Sequence, residues 1–302
     1  MGSGLEEGTW MGQLSKGNDL YIDEERGARD LRNGSAVLWR YGSSASLEVV
    51  TGLIIRDLME IKDLNMIDLA LFARLAENEY IGMSSGIMDP FAIAMGKKDH
   101  AILLDTSDLS YEYAPLELPH QKIIVTNSQK ARLAVDERYQ ERQAQCQEAL
   151  HDLQTVIAIQ NLSELTADVF EQVQEMIRRP VCLRRARHAV TENQRTIQAV
   201  DALNKGDIRE FGQLMNASHL SLKEDFEVSC EELDILVEEA WEIEGVLGSR
   251  MMGAGFGGCT ISIVENDAVN EFVSRVGSHY KERTGRTAEF YIMETGNGAS
   301  EV

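Results

Sequence analysis

The chain has 302 residues, 43% of them apolar, which suits one large domain or two medium ones with real cores. A formal charge of −21 disfavours nucleic acid and anionic membrane by long-range repulsion, while a local nest of N–H groups could still bind a small phosphate compound. Cys146, Cys182, Cys230 and Cys259 are widely spaced and the six histidines are dispersed, which argues against a disulfide framework, a zinc site or a metal cluster and for a reducing cytoplasm.

Residues 1–42 show no sustained period of 2 or 3.6, and "DEERGARDLRNGS" reads as solvated. The character changes at Ser43. The apolar spacing predicts helices over 45–60 and 66–80, then a glycine-spaced loop, "IGMSSGIMD". "HAILLDTS" and "YEYAPLEL" alternate as in an antiparallel hairpin, and "KIIVTNS" (122–128) is a short buried-strand candidate. A long amphipathic helix is expected from about Leu133 to Ile159. The second half begins near Pro180 with "RRARHAVTENQRTIQAVDALNKG", a helix stopped by Lys-Gly. Two more helices follow, and then the strands "CTISIV" and "AEFYIM", flanking a helix over "DAVNEFVSRVGSHYKERTG". Strands and helices without strict alternation favour an α+β fold. Apolar runs such as "GLIIRDLMEI" are broken by charge short of a membrane span, and the first 30 residues are too polar for a signal peptide.

Four stretches could carry chemistry. "RYGSSASLEVV" (40–50) has the form of the tail of a phosphate-binding loop, with Ser43, Ser44, Ala45 and Ser46 opening a helix. Leu38, Trp39, Arg40 and Tyr41 stand where such loops carry glycines. "RMMGAGFGGC" (250–259) places Gly253, Gly255, Gly257 and Gly258 just before a strand. That pattern suits either close backbone approach to a nucleotide or a crowded turn between packed elements, about evenly. In "SSGIMD" (84–89), Asp89 is either a helix cap or a general base, ionised at neutral pH. In "AENEY" (76–80), Glu77 and Glu79 point to different helix faces, so at most one faces a site, and they are either solvated surface or one of them is an oxygen ligand to Mg²⁺. Tyr139 lies on a charged helix, and the basic stretches "KARLAVDERYQER" and "RRPVCLRRARH" read as salt-bridged helix faces.

Taken in order, "SSASLEVVTG", "AENEYIGMSSGIMDPFAIAMGKKDHAILLD", "ERYQERQAQC", "RARHAVTENQRT", "MNASHLSLKEDFEVSC" and "RMMGAGFGGC" resemble the galactokinase family of the GHMP kinase superfamily, from Ser43 to the C-terminus. The resemblance implies an α+β, two-domain GHMP kinase fold, with a ribosomal S5 domain 2-like N-terminal half and a ferredoxin-like C-terminal domain. In this chain the expected organisation is a non-family segment at 1–42, an incomplete N-terminal domain at 43–180 and a C-terminal domain at 181–302. It further implies a cytoplasmic monomer that takes galactose and ATP, with Mg²⁺, and moves the γ-phosphoryl group to the sugar's C1 hydroxyl.

The same resemblance assigns the residues. Asp89 would accept or orient the C1 hydroxyl proton. Gly86 and Asp89 would line the sugar site and Tyr139 would contact the sugar ring. Ser43, Ser44, Ala45 and Ser46 would meet the nucleotide, with Gly253, Gly255, Gly257 and Gly258 supporting from the second domain. Ser44 and Glu77 would hold Mg²⁺.

The departures are equally informative. Nothing in the chain matches the family's Gly-Arg-x-Asn-x-x-Gly-Glu-His-x-Asp-Tyr segment, and the phosphate-loop glycines are replaced. Pro90, Ser84 and Met252 stand where the family has Gln, Asn and Thr. These differences predict little or no turnover, or a non-catalytic sensor as the alternative. Without the leading strands, exposed apolar faces are expected in the N-terminal half. "MGQLSKGND" (11–19), read one nucleotide forward in degenerate codons, is compatible with the family's Trp-x-Asn-Tyr-Pro-Lys-Gly-Met. Residues 9–42 are therefore expected to be family DNA read out of frame, with a divergent N-terminus as the rival reading.

Overall fold

In the computed structural model, residues 43–82, 85–131 and 135–300 are described. The out-of-frame reading of residues 9–42, the position of Ser84 and the side chain of Ser43 lie outside them. The chain divides into two compact units, one of residues 43–102, Tyr111–Glu117 and 294–300, the other of Leu103–Ser110 and Leu118–Met293.

In the first unit, α1 (Ser43–Leu58) forms because Ala45, Val49 and Leu53 recur at four-residue spacing and bury one stripe. Helix α2 (Met66–Leu75) starts at a reciprocal cap. The Asn65 side chain accepts from the N–H groups of Ile67 and Asp68, and the Asp68 carboxylate accepts from the Asn65 N–H. A π-helical turn, Ala76–Ile81, continues α2 and stops at Gly82, whose φ of 81° suits glycine. Helix α3 (Met88–Met95) buries Phe91 completely. The predicted hairpin is present as β1 (His100–Leu104) and β2 (Tyr111–Pro115). The C-terminal segment returns to this unit, where Asp99 N–H donates to Thr295 Oγ1 and Ala299 N–H to the Ile93 carbonyl. On the face of α1 opposite its buried stripe, Leu47, Ile54 and Leu58 stand exposed, Leu58 at 78%.

In the second unit, β3 (Gln121–Asn127), β4 (Val246–Met252), β5 (Cys259–Glu265) and β6 (Glu289–Met293) form one sheet in the order β4-β5-β3-β6. All three pairings are antiparallel. Helices α4 (Val135–Leu153), α5 (Ala167–Val173), α6 (Pro180–Asn204), α7 (Ile208–Glu224) and α8 (Glu231–Trp241) lie between β3 and β4, and α9 (Val269–Thr284) lies between β5 and β6. With that order the sheet has the β-α-β-β-α-β connectivity of ferredoxin-like folds. Its first strand is β3. The division into compact units falls near residue 118, because β3 pairs with β5 from Gln121↔Glu265 to Asn127↔Cys259 and so belongs to the same sheet as the C-terminal strands.

Strand β4 is an element the apolar pattern did not reveal. Gly248 interrupts it, and that glycine is required by a close approach of α7. A Cβ at Gly212 would meet the Leu247 carbonyl oxygen at 2.2 Å, and one at Gly248 would meet the Gly212 carbonyl oxygen at 2.3 Å. The long helix α4 ends at Leu153, six residues before the predicted stop.

Candidate active site

The start of α1 and the π-helical turn bring together two residues that lie 33 positions apart. Ser44 Oγ donates to Glu77 Oε1 at 2.5 Å. Glu77 is only 6% exposed, whereas Glu79 is exposed, so the two glutamates part as their spacing required. Glu48 lies one turn beyond Ser44 on the same side of α1. Its carboxyl is pushed up to about 7, first by burial and then by the charge of Glu77. Its Oε2 is buried without a hydrogen-bond partner. A hydroxyl, a carboxylate and a neighbouring carboxyl with an orphaned oxygen form a hard-oxygen donor set, which fits Mg²⁺. Among the described residues no three His, Cys, Asp or Glu side chains converge as a cation cage. A cation here would take its remaining ligands from phosphate and water, as Mg²⁺ commonly does.

The loop after the π-helical turn is fixed by Asn78. Its Oδ1 accepts from Ser85 N–H at 2.8 Å and from Ser85 Oγ at 3.0 Å, and its Nδ2 donates to the Ser85 carbonyl at 3.2 Å. Asn78 lies between the two glutamates of "AENEY", and the sequence pattern gives it no signal of its own. Gly86 and Asp89 are both exposed just beyond this clamp, with the wholly buried Ile87 anchoring the turn. Asp89 is the second residue of α3. The N-cap is Ile87, with no side-chain cap bond, so Asp89 is not the N-cap residue. Pro90 is third, and the first intrahelical bond comes from Phe91 N–H to the Ile87 carbonyl at 2.9 Å. The N–H that proline lacks would have had no intrahelical partner, so Pro90 costs the helix nothing.

The glycine loop joins β4 to β5 in the second unit. Gly253, Gly255, Gly257 and Gly258 all have positive φ, as does Phe256 at 58°. Gly255 and Gly257 are buried and Gly253 is exposed. Phe256 N–H donates to the Val228 carbonyl at 2.7 Å, and Gly258 N–H donates to the Lys130 carbonyl at 3.1 Å. A Cβ at Gly255 would lie 2.1 Å from the Val228 oxygen. Residues 255–258 are therefore packed onto two neighbouring segments, and Gly253 is the end of the loop that faces outward. Tyr139, half-buried on α4, packs edge-on against Phe226, ring centroids 6.2 Å apart. Tyr139 and the glycine loop thus share the short turn 225–228 as a neighbour. Ser44, Glu77, Gly86 and Asp89 belong to the first unit, and Tyr139 and the glycine loop to the second.

This fold, with a serine-led helix facing a buried glutamate in one unit and a glycine loop in the other, is that of the GHMP kinases. The pattern described as "GHMP kinases N terminal domain" matches residues 41–97, and "GHMP kinases C terminal" matches 199–282. A galactokinase of Fusobacterium nucleatum is 52% identical over 261 residues, 86% of this chain and 67% of its own length. A galactokinase of Clostridium perfringens is 46% identical over 292 residues, 96% of this chain and 72% of its own, so that alignment runs into the segment before Ser43. The crystal structure of Lactococcus lactis galactokinase complexed with galactose superposes with a TM-score of 0.82 at 43% identity, covering 86% of this chain and 66% of that one. The chain belongs to the galactokinase family, and it spans about two thirds of the length of such relatives.

Proposed function

We propose that this chain carries the galactokinase reaction, transfer of the ATP γ-phosphoryl group to the C1 hydroxyl of α-D-galactose, which yields galactose 1-phosphate and ADP in galactose metabolism. The observation that carries the reading is the 2.5 Å contact between Ser44 and Glu77, which joins the serine loop to a buried carboxylate. Phosphoryl transfer needs little covalent chemistry from the protein and depends on positioning and neutralisation of charge. Ser44 and Glu77 would hold Mg²⁺, which would neutralise the phosphate oxygens. Ser43, Ala45 and Ser46 would meet the nucleotide at the start of α1, and Gly253, Gly255, Gly257 and Gly258 would support it from the second unit. Asp89 would take the C1 hydroxyl proton as the oxygen attacks phosphorus and ADP leaves. Gly86 and Asp89 would line the sugar site, and Tyr139 would face the ring. Among the described residues no helix is long and apolar enough to cross a membrane. A monomer in the cytoplasm fits this reading.

The test is galactose-dependent ADP formation by the purified chain, beside calorimetric titration with ATP and with galactose. The reading predicts binding of both and slow turnover, because Leu38, Trp39, Arg40 and Tyr41 stand where the loop glycines would be. Tight binding with no turnover would favour a sugar or nucleotide sensor. Binding of neither would overturn the reading.

A further inference from the structure

Arg185 has a placement that its sequence context conceals. It sits in the basic run of α6, yet it is 1% exposed and is the largest fully buried side chain among the described residues. A buried guanidinium is expensive unless its donors are met. Here all three nitrogens have acceptors. Nε donates to Gln145 Oε1 at 2.8 Å, Nη1 to the Asp225 carbonyl and Nη2 to Glu227 Oε2. Two of those acceptors lie in the turn 225–228. Arg142 adds a second grip on it, Nε to the Phe226 carbonyl at 2.8 Å and Nη2 to the Glu227 carbonyl at 3.2 Å, and Arg184 reaches Glu227 Oε1 at 3.0 Å.

The turn so gripped is strained. Glu227 has a φ of 57°, a left-handed conformation that a residue with a side chain rarely adopts. Such strain persists only where the surroundings over-determine it. The turn holds two of the proposed site groups at once. The Val228 carbonyl receives Phe256 N–H and sets how closely Gly255 approaches, and the Phe226 ring is the edge partner of Tyr139.

We propose that Arg185 is a positioning residue that, through the turn 225–228, sets the glycine loop on one side and Tyr139 on the other, and so couples the nucleotide and sugar ends of the second unit. The inference rests on the functional reading above, in which those two groups meet ATP and galactose. Arg185 touches neither ligand in this account. Its planar fork, which reaches a backbone carbonyl and a carboxylate together, is what lysine cannot reproduce.

Calorimetric dissociation constants for ATP and galactose test it, measured on wild type, Arg185→Lys and Phe226→Leu, with a thermal melt of each. Arg185→Lys is expected to weaken both ligands by about tenfold at a temperature where it remains folded, since small displacements of positioning groups cost that much or more. Phe226→Leu keeps the arginine grip and removes the ring that meets Tyr139 edge-on, so it is expected to weaken galactose about tenfold and to change ATP less than about twofold. That split is a result a purely structural loss would not give, and if Arg185→Lys does not fold, Glu227→Gln, which weakens the same grip at Nη2, is expected to weaken both ligands in its place. Wild-type affinities in Arg185→Lys, or equal loss of both ligands in Phe226→Leu, would overturn the proposal. A wild-type chain that binds neither ligand would instead bring down the functional reading, and this inference with it.

Discussion

Ser44 and Glu77 share a hydrogen bond of 2.5 Å although they lie 33 positions apart, and burial together with the charge of Glu77 pushes the Glu48 carboxyl up to about 7. The pair proposed to hold the cation therefore also carries a repulsion that costs stability. Glu77→Gln removes the charge that repels Glu48 while it removes the carboxylate proposed as the cation ligand. The expected outcome is at least a tenfold loss of Mg²⁺-dependent ATP binding with an unchanged or higher Tm at pH 7 to 8. Titration calorimetry with and without Mg²⁺, beside a melt, checks both halves. A matched loss of Tm and binding would point to a structural role alone.

Asp89 stands exposed on the first turn of α3, beside Pro90 and without the N-cap position. Asp89→Asn keeps the shape and removes the proposed base. Turnover is expected to fall by a factor of about a hundred or more while the galactose dissociation constant changes little. Steady-state rates set against calorimetry on the same sample separate the two effects.

His219 gives the second unit a pH dependence. It is 1% exposed, its Nδ1 accepts from Met251 N–H at 3.2 Å, and its Nε2 faces Asp234 Oδ1 at 3.4 Å, long for a hydrogen bond. Burial pulls its pKa below 6.5, and this outweighs the opposing pull of Asp234. The unfolded chain then binds a proton that the folded chain does not, so stability is intact above about pH 6.5 and is lost as pH falls below it. Urea unfolding at pH 7.5 and pH 5.5 should show this loss. His219→Gln is expected to be less stable at pH 7.5 but to show a smaller drop between the two.

Gly255 combines a φ of 77° with a Val228 oxygen 2.1 Å from where a Cβ would sit. Gly255→Ala is expected to cost about 2 kcal/mol or more in urea unfolding, because neither backbone can give way cheaply. Gly285→Ala has the same sign of φ, at 70°, but nothing within 4 Å of the added atom. It should cost about 1 kcal/mol, the conformational part alone.

The segment before Ser43 is decided by its coding DNA. If residues 9–42 are family sequence read out of frame, the frame one nucleotide forward continues as galactokinase through residues 20–37. The C. perfringens alignment, which runs into this segment in the given frame, is the reason to look. A shifted frame that diverges at once would leave a genuine, divergent N-terminus.

Much of this was legible because local pattern and local structure agreed. The apolar spacing of Leu47, Val49, Val50, Leu53 and Ile54 predicted α1, although Leu47 and Ile54 are exposed and Ala45 completes the buried stripe, "KIIVTNS" (122–128) predicted β3, and the glycines of 253–258 take the positive φ that glycine permits. What was hidden depends on contacts between distant residues. Gly248 breaks the pattern of β4 because Gly212 comes close to it, which no window of sequence shows. The boundary near 118 follows from the pairing of β3 with β5 across some 140 positions of chain. Arg185 read as one more surface cation in "RRPVCLRRARH". Its neighbour Arg184 does pair at the surface, but Arg185 is buried against a turn forty residues further on. Asn78 carried no signal except its place between two glutamates that had already drawn the chemistry.

The most direct test follows the phosphoryl group itself. Phosphorus NMR of the purified chain with ATP, Mg²⁺ and galactose should show a sugar 1-phosphate ester growing in step with ADP, slowly, and absent in Asp89→Asn. ADP accompanied only by inorganic phosphate, or no change over a day with both ligands bound, would contradict the account.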